Sequence, residues 1–498
     1  MRASGIDTRR RALGVCLVAA FMSGLDVSIV NVALPSIREG LGATEDGLQW
    51  TLSGYALTFG LLLVPAGRLG DARNRRAIFL FGVALFTLSS AACGFAGTMS
   101  LLIVARLVQG MAAGMLNPQV SGLIQQMFRG YERGRAFGAL GATIGVSTAA
   151  GPLIGGALVS AFGPEHGWRW VFLVNLPIGV ALLPLAHRVL PAPRKPAPSV
   201  APEAASPDVR GPASPDVRGP ASSDVRGRRE SMDPVGVLLL GVGVAGLLLP
   251  FIQRHQWEGG TKWLLIPAAL TVLVGFVAWE LVYPREPLVN LSLFGKRSYS
   301  LGSAIALFYF AGFTGIFFTF TLYLQSGLNY SPLMAGLSIT PFALGSASAS
   351  VVGGRLVSRA GRRLVAVGLT TVIIGLSATM AATALVPGHG VGLATALPLL
   401  VAGVGSGLVI SPNQAITLSE VPPEGGGSAA GVLQTGQRLG SAIGIAAAGS
   451  TFFGSLNEGW PTAFRHGLLV VLLFIAIALA AAVYDLIRTY RSPPRQPP

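Results

Sequence analysis

Two residues of opposite charge stand where charge is costly. Asp26 lies within GLDVSIVNVALPSI, residues 24–37, and Arg106 within IVARLVQGMAAG, residues 103–114, and both neighbourhoods are otherwise apolar. On insertion scales an ionised side chain at the centre of a bilayer costs about 2.5–3.5 kcal/mol, so a chain that keeps one there has a use or a partner for it. A proton can switch such an acid between charged and neutral forms, and a nearby cation, from Arg106 or from a bound cationic molecule, competes with that proton. Arg106 must face a cavity or a partner, or snorkel to an interface, because it stands only a few residues inside its apolar run. Arg438, inside a later run, binds an anionic group or caps carbonyls.

The remaining chemistry is sparse. Of 21 acids nearly all fall in loops, the linker or helix ends; Glu280, near the inner end of its run, and Glu420, at the end of another, are each an interfacial residue or a proton carrier. Cys16 and Cys93 sit in apolar runs and the five histidines are scattered, which gives no disulfide framework and no metal-ligand spacing. No enzymatic constellation, metal or cofactor is expected.

The elements that must carry these residues are membrane helices. A chain of 498 residues that is 51% hydrophobic and 11% charged, with mean hydropathy +0.62, is no set of soluble domains but an all-α polytopic membrane protein. Runs of about 20 apolar residues, enough to cross a bilayer, fall at 12–34, 49–67, 77–96, 101–124, 135–161, 169–189, 234–253, 263–283, 300–324, 332–357, 364–386, 391–413, 427–453 and 466–488. That makes fourteen spans. The net charge of +15 does not imply nucleic acid, because roughly 29 of the 36 Lys and Arg fall in alternate loops and the termini, the positive-inside pattern. An even number of spans, basic residues Arg9–Arg11 and Arg488, Arg491 and Arg495 at the ends, and a first run too long for a signal core place both termini in the cytoplasm.

Four regions follow: a six-helix bundle over 1–190, a polar linker over 191–232, two additional helices within 233–289, and a second six-helix bundle with a short tail over 290–498. The linker repeats an eight-residue unit, SPDVRGPA at 206–213 and 214–221 and then SSDVRG at 222–227, whose composition predicts a disordered spacer or a docking tract. The two bundles echo each other: GRLGDARNRR at 67–76 matches GRLVSRAGRR at 354–363. Likewise Gly110 and Gly114 before Asn117-Pro118-Gln119 match Gly403 and Gly407 before Pro412-Asn413-Gln414. Internal repeats packed about a central site are a transporter design.

The loop at 67–76 resembles the G-x-L-a-D-r-x-G-r-r loop of the major facilitator superfamily, with Gly67, Asp71, Arg75 and Arg76 matching and Asn74 where that pattern has Gly. The resemblance implies a charged conformational latch. The segment around Arg106, Gln109 and Gly110 resembles the superfamily's l-x-x-x-R-x-x-q-G motif. Gly145, Gly151, Pro152, Gly155 and Gly156 resemble the antiporter motif of its exporters, in which small residues permit close helix contact and Pro152 removes a backbone donor. LDVSIVNVALP at 25–35, WRWVFLVNLPIG at 168–179 and TGQRLGSAIG at 435–444 resemble the fourteen-spanner drug/proton antiporter branch. Trp168, Arg169 and Trp170 are expected in an interfacial aromatic belt.

The resemblance implies the major facilitator fold and proton-coupled efflux by alternating access, with Asp26 and Arg106 as the proton-coupling pair. Asn31, Gln109, Asn117, Phe310, Phe313, Phe317 and Arg438 are candidates for the substrate cavity; the phenylalanines share one helical face, which fits a cavity wall or plain packing. With a single deep carboxylate, the expected cargo is a lipophilic neutral or monocationic compound. The expected partners are that small molecule and the bilayer, without nucleic acid, for a monomer in a bacterial inner membrane. A dedicated exporter of a self-made metabolite, a proton symporter and a non-transporting sensor are the alternatives.

Overall fold

The computed structural model describes residues 2–163, 165–191, 233–252, 260–283, 287–386 and 388–491. Residues 192–232, with the eight-residue repeats, lie outside the described residues. The described chain is helical nearly throughout, as a backbone in hydrocarbon requires, because only internal hydrogen bonding satisfies its N–H and C=O groups there. The helices are α1 Arg2–Leu41, α2 Glu45–Leu69, α3 Arg75–Gly94, α4 Met99–Met127, α5 Gly130–Phe162, α6 Gly167–Leu173, α7 Asn175–Val189, α8 Pro234–Ile252 and α9 Leu265–Val282. They continue as α10 Ser292–Gly295, α11 Arg297–Leu322, α12 Pro332–Ala360, α13 Arg362–Leu385, α14 Val391–Ala394, α15 Ala396–Thr417, α16 Gly426–Gly454 and α17 Trp460–Arg491.

Among the described residues, eleven helical stretches are long and apolar enough to cross a membrane. Asp46–Gly94 counts as one of them because α2 runs into α3 through a wide helical turn over Gly70–Asn74. Helix starts follow local chemistry. Thr44, Thr98 and Ser331 accept backbone N–H bonds ahead of α2, α4 and α12, and Asn74 accepts from Arg76 and Ala77 ahead of α3. The asparagine that departs from the superfamily pattern is therefore a helix cap. The span expected at 169–189 is present as one stretch, Gly167–Val189, with a local irregularity at Val174, where Pro177 cannot donate to the turn behind it.

Helices of the first half of the chain pack on one another (α1 on α5 and α7, α2 and α3 on α4), as do those of the second half (α12 and α13 on α15, α11 on α16 and α17). Two seams join the halves, α5 against α12 and α2 against α16. Small residues make them close. Gly134 and Gly138 of α5 lie against Gly354 of α12, and Gly67 of α2 lies against Gly427 of α16, with no room for a Cβ at either contact. The repeat pattern carries equivalent packing. Gly110 and Gly114 fit α4 to α2 at the Tyr55 and Phe59 carbonyls, while Gly403 and Gly407 fit α15 to α12 at the Phe342 and Ser346 carbonyls. The inserted pair α8 and α9 pack on each other, and α8 touches both α2 and α16, beside that seam.

Candidate functional site

Asp26 is fully buried in the first half, enclosed by α1, α2, α4 and α7. Its Oδ2 takes a 2.6 Å ion pair from Arg106 Nη1. Its Oδ1 accepts from Gln109 Nε2 at 2.9 Å and from Asn175 Nδ2 at 3.2 Å. Arg106 is only 1% exposed, which excludes snorkelling. Its Nε donates to the Thr51 carbonyl at 3.1 Å, its Nη1 also reaches Gln109 Oε1 at 2.9 Å, and its guanidinium lies 4.1 Å from the Tyr55 ring centroid. Asn175 is held by Ser90 Oγ at 3.0 Å, and Ser90 donates to the Phe172 carbonyl at 2.9 Å.

Both carboxylate oxygens are thus engaged, by three donors from α4 and α7. Protonation would remove the charge that holds Arg106, and breaking a buried pair is worth about 3–5 kcal/mol. The structure brings Asp26, Arg106 and Gln109 together, but Gln109 is a wholly buried partner of the ion pair rather than a cavity wall. Asn175, Thr51 and Ser90 were absent from the sequence-level candidates. Asn175 had a signal, since it is the one amide in the apolar stretch VFLVNLPIG and precedes the Pro177 break.

The second cluster joins the halves. Asp71 Oδ1 and Oδ2 accept from the backbone N–H groups of Gly427 at 2.9 Å and Ser428 at 2.7 Å, the first turn of α16, and Oδ2 accepts from Ser428 Oγ at 2.8 Å. A carboxylate there satisfies orphan donors and meets the positive end of the helix dipole. Arg75 bonds Asp71 Oδ1 through Nε at 2.9 Å and Nη2 at 2.7 Å, the Gly122 carbonyl at 3.2 Å, and the Pro423 and Glu424 carbonyls of the second half. Arg76, grouped with the latch on sequence grounds, turns instead to the His187 carbonyl of α7 in its own half.

On α5, Gly151 and Gly155 meet α1 at Ser28 and Ile29, and Ser28 Oγ donates to the Ser147 carbonyl at 3.0 Å. Gly145, Pro152 and Gly156 face α12 at Ala343 and Ala347, Gly336 and Leu333. The motif therefore fits α5 between a helix of its own half and one of the other. Phe313 and Phe317 line a small apolar pocket at this seam with Ile144, Thr148 and Phe342. The Phe310 ring lies 5.5 Å from that of Phe313, tilted at 51°. Asn31 is exposed and bonds its own helix at the Val27 carbonyl, whereas Asn117 bonds the Ala113 carbonyl at 3.0 Å and Ser23 Oγ at 3.5 Å.

Arg438 is half-buried in the α2–α16 seam, its guanidinium 4.2 Å from the Phe59 ring centroid. Glu280 is buried, and its carboxylate accepts from the N–H groups of Leu288 and Val289, tying down the chain after α9. Glu420 is exposed, and its carbonyl accepts from Lys296 Nζ at 2.7 Å. The aromatic-belt expectation needs one correction. Trp168 is completely buried against Phe172, while Trp170 is exposed and stacked on Phe162.

A family model for the Major Facilitator Superfamily matches residues 16–445 and 302–498. The chain belongs to this superfamily. It is 36% identical over 460 residues to the "Probable actinorhodin transporter" of Streptomyces coelicolor, covering 90% of this chain and 73% of that protein. It is 32% identical over 492 residues to the "Cephamycin export protein CmcT" of Amycolatopsis lactamdurans, covering 96% and 93%. Among solved structures, the proton:xylose symporter XylE superposes with a TM-score of 0.64 at 15% identity, over 97% of this chain and 96% of that one, and so supports the shared fold. This chain is accordingly an all-helical, multi-pass membrane transporter of the superfamily.

Proposed function

We propose that this superfamily member is a proton-driven exporter of lipophilic small molecules that works by rocking its two halves about the α2–α16 and α5–α12 seams. The observation that carries the proposal is the enclosed Asp26–Arg106 pair, with every polar atom of the acid engaged inside one half. Taking up a proton at Asp26 frees Arg106 and loosens α1 from α4; losing it restores the pair. The membrane potential adds about 2.3 kcal/mol per charge per 100 mV, comparable to the energy of such a rearrangement. Asp71 and Arg75 hold the two halves together at one end of the molecule while the other end exchanges cargo.

In this reading the chain crosses the bilayer fourteen times. The 49 residues of Asp46–Gly94, at 1.5 Å per residue, extend roughly twice the bilayer core and count as two crossings. The apolar α8 and the small-residue-rich α16 supply two more. Bundles over 1–190 and 290–498, a linker over 191–232, an inserted pair within 233–289, cytoplasmic termini and a monomer in a bacterial cell membrane complete the proposal. The names of the two relatives favour a self-made antibiotic or similar metabolite as cargo over assorted drugs.

The test is Asp26→Asn in everted vesicles. It should abolish accumulation driven by a proton gradient while leaving membrane insertion and substrate binding intact. Undiminished gradient-driven transport by this variant would overturn the proposal. The direction of proton movement on adding substrate to proteoliposomes separates export from symport.

A further inference from the structure

We propose that the α2–α16 seam contains a site for an anionic group on the transported molecule, built on Arg438 with the hydroxyls of Tyr55 and Thr435; this rests on the exporter reading and specifies its cargo as lipophilic organic anions. Arg438 stands twelve residues into α16, about 18 Å along the helix, which places it near the middle of a bilayer core about 30 Å thick. Among the described residues, buried arginines Arg75, Arg106 and Arg362 each hold a carboxylate. Arg438 has only the face of Phe59. A cation–π contact is worth about 0.5–2 kcal/mol, less than the about 2.5–3.5 kcal/mol that a mid-membrane cation costs.

The groups around it are also short of acceptors. Tyr55, one turn from Phe59 and stacked on it with ring centroids 6.0 Å apart, is 4% exposed, and its hydroxyl has no hydrogen-bond partner. Thr435, one turn before Arg438, is 7% exposed with its hydroxyl likewise unpartnered. These residues share one line of contact. Gly431 of α16 meets Leu63 of α2, Arg438 meets Phe59, and Thr435 lies on the α16 face between those two contacts. A guanidinium and two spare hydroxyls at one seam call for an acceptor-rich anionic group such as a carboxylate, sulfonate or phenolate.

Charge decides the sign of the cargo. The charges acting on the Tyr55 hydroxyl are Asp26, Arg106 and Arg438. With Asp26 ionised they sum to one positive charge, and with Asp26 protonated to two. Asp26 is committed to Arg106, so among the described residues around this seam no free carboxylate is offered to a cation. The monocation expected from a single deep acid is replaced by an anion, whose outward movement a potential negative inside would also favour.

Three probes that share a ring system test this: naphthoate, its neutral methyl ester, and naphthylmethylammonium, titrated by fluorescence into the full-length protein in nanodiscs against protein-free discs. Naphthoate should bind at least about tenfold more tightly than the ammonium compound, as charge-assisted hydrogen bonds predict. Arg438→Gln should lower naphthoate affinity about tenfold and change that of the ester less than about twofold, whereas Arg438→Lys should keep the preference for the anion. Tyr55→Phe, which keeps the ring stack, should weaken naphthoate about threefold. Equal or tighter binding of the ammonium compound, or an equal loss of anion and ester in Arg438→Gln, overturns the proposal. Anion preference in discs without movement of any probe into everted vesicles would sink the exporter reading and leave the site standing. Gradient-driven accumulation of the cation without anion preference would do the reverse.

Discussion

The loops at 67–76 and 354–363 share a pattern but hold different things together. In the first, Asp71 and Arg75 reach across to α16 and the turn before it. In the second, the position of Asp71 is taken by exposed Ser358, and Arg362 turns inward. It bonds Asp485 of α17 at 2.7 Å, Asn413 of α15 and the Ser298 carbonyl at 2.9 Å, all in its own half. Even the turn differs. Asn74 has extended backbone and caps α3, whereas Gly361 at the same point of the repeat has φ +50°, a conformation that favours glycine. One copy ties the two halves together and the other pins helices within one half.

The deep interiors differ too. The first half buries the ion pair of Asp26 and Arg106 together with the amides of Gln109 and Asn175. The second half buries the Arg362–Asp485 pair and, apart from it, a neutral chain, with Tyr309 donating to Ser406 Oγ at 2.7 Å and Ser406 3.3 Å from Ser346. Buried ion pairs thus occur in both halves, and the second half adds a chain of neutral polar contacts.

The contrast can be broken at three points. Asp485→Ala leaves Arg362 buried without its carboxylate, so it should destabilise the protein by about 3–5 kcal/mol, read as a large drop in melting temperature in detergent; an unchanged melting temperature would show that this copy is no pin. Asp71→Asn keeps the shape but loses the charge on the α16 N-terminus. With charge-assisted bonds worth about 1.5–3 kcal/mol each, the gradient-driven transport rate should fall at least about tenfold with little change in melting temperature. A wild-type rate would remove the clamp from the cycle. The smallest effect is expected of Ser358→Asp, which offers an acid near the start of α5, where Val357 and Gly354 already touch Gly134. A second clamp of about 0.5–1 kcal/mol, typical of an exposed acid at a helix N-terminus, should slow transport about two- to fivefold, and a faster rate would contradict that geometry.

Much of this was legible before the helices were placed. The isolation of Asp26 and Arg106 in apolar sequence, the order of the motifs and the internal repeat located the charged machinery to within a turn. Less legible was α16. It is absent from the stretches classed as apolar enough to cross because its Gly, Ser, Thr, Gln and Arg residues, suited to close helix packing at a seam, lower its hydropathy. Trp168 was misplaced for a related reason, since the composition of a span does not say which of its faces meets protein and which meets lipid.

By itself, the sequence determined that this is a polytopic helical protein with a duplicated plan, an acid inside its first apolar run and a charged loop, because hydrophobic run length and charge placement are properties of each segment alone. Only the tertiary structure decided who meets whom. It put Asn175 on Asp26, Asp71 on the start of α16, Arg76 away from the clamp, and Arg438 on Phe59 beside hydroxyls that lack a partner. Those pairings depend on how helices far apart in the chain turn toward one another. In hydrocarbon most faces of a helix are apolar, so periodicity carries little information about that rotation, and close packing of small residues with satisfaction of buried charge settles it.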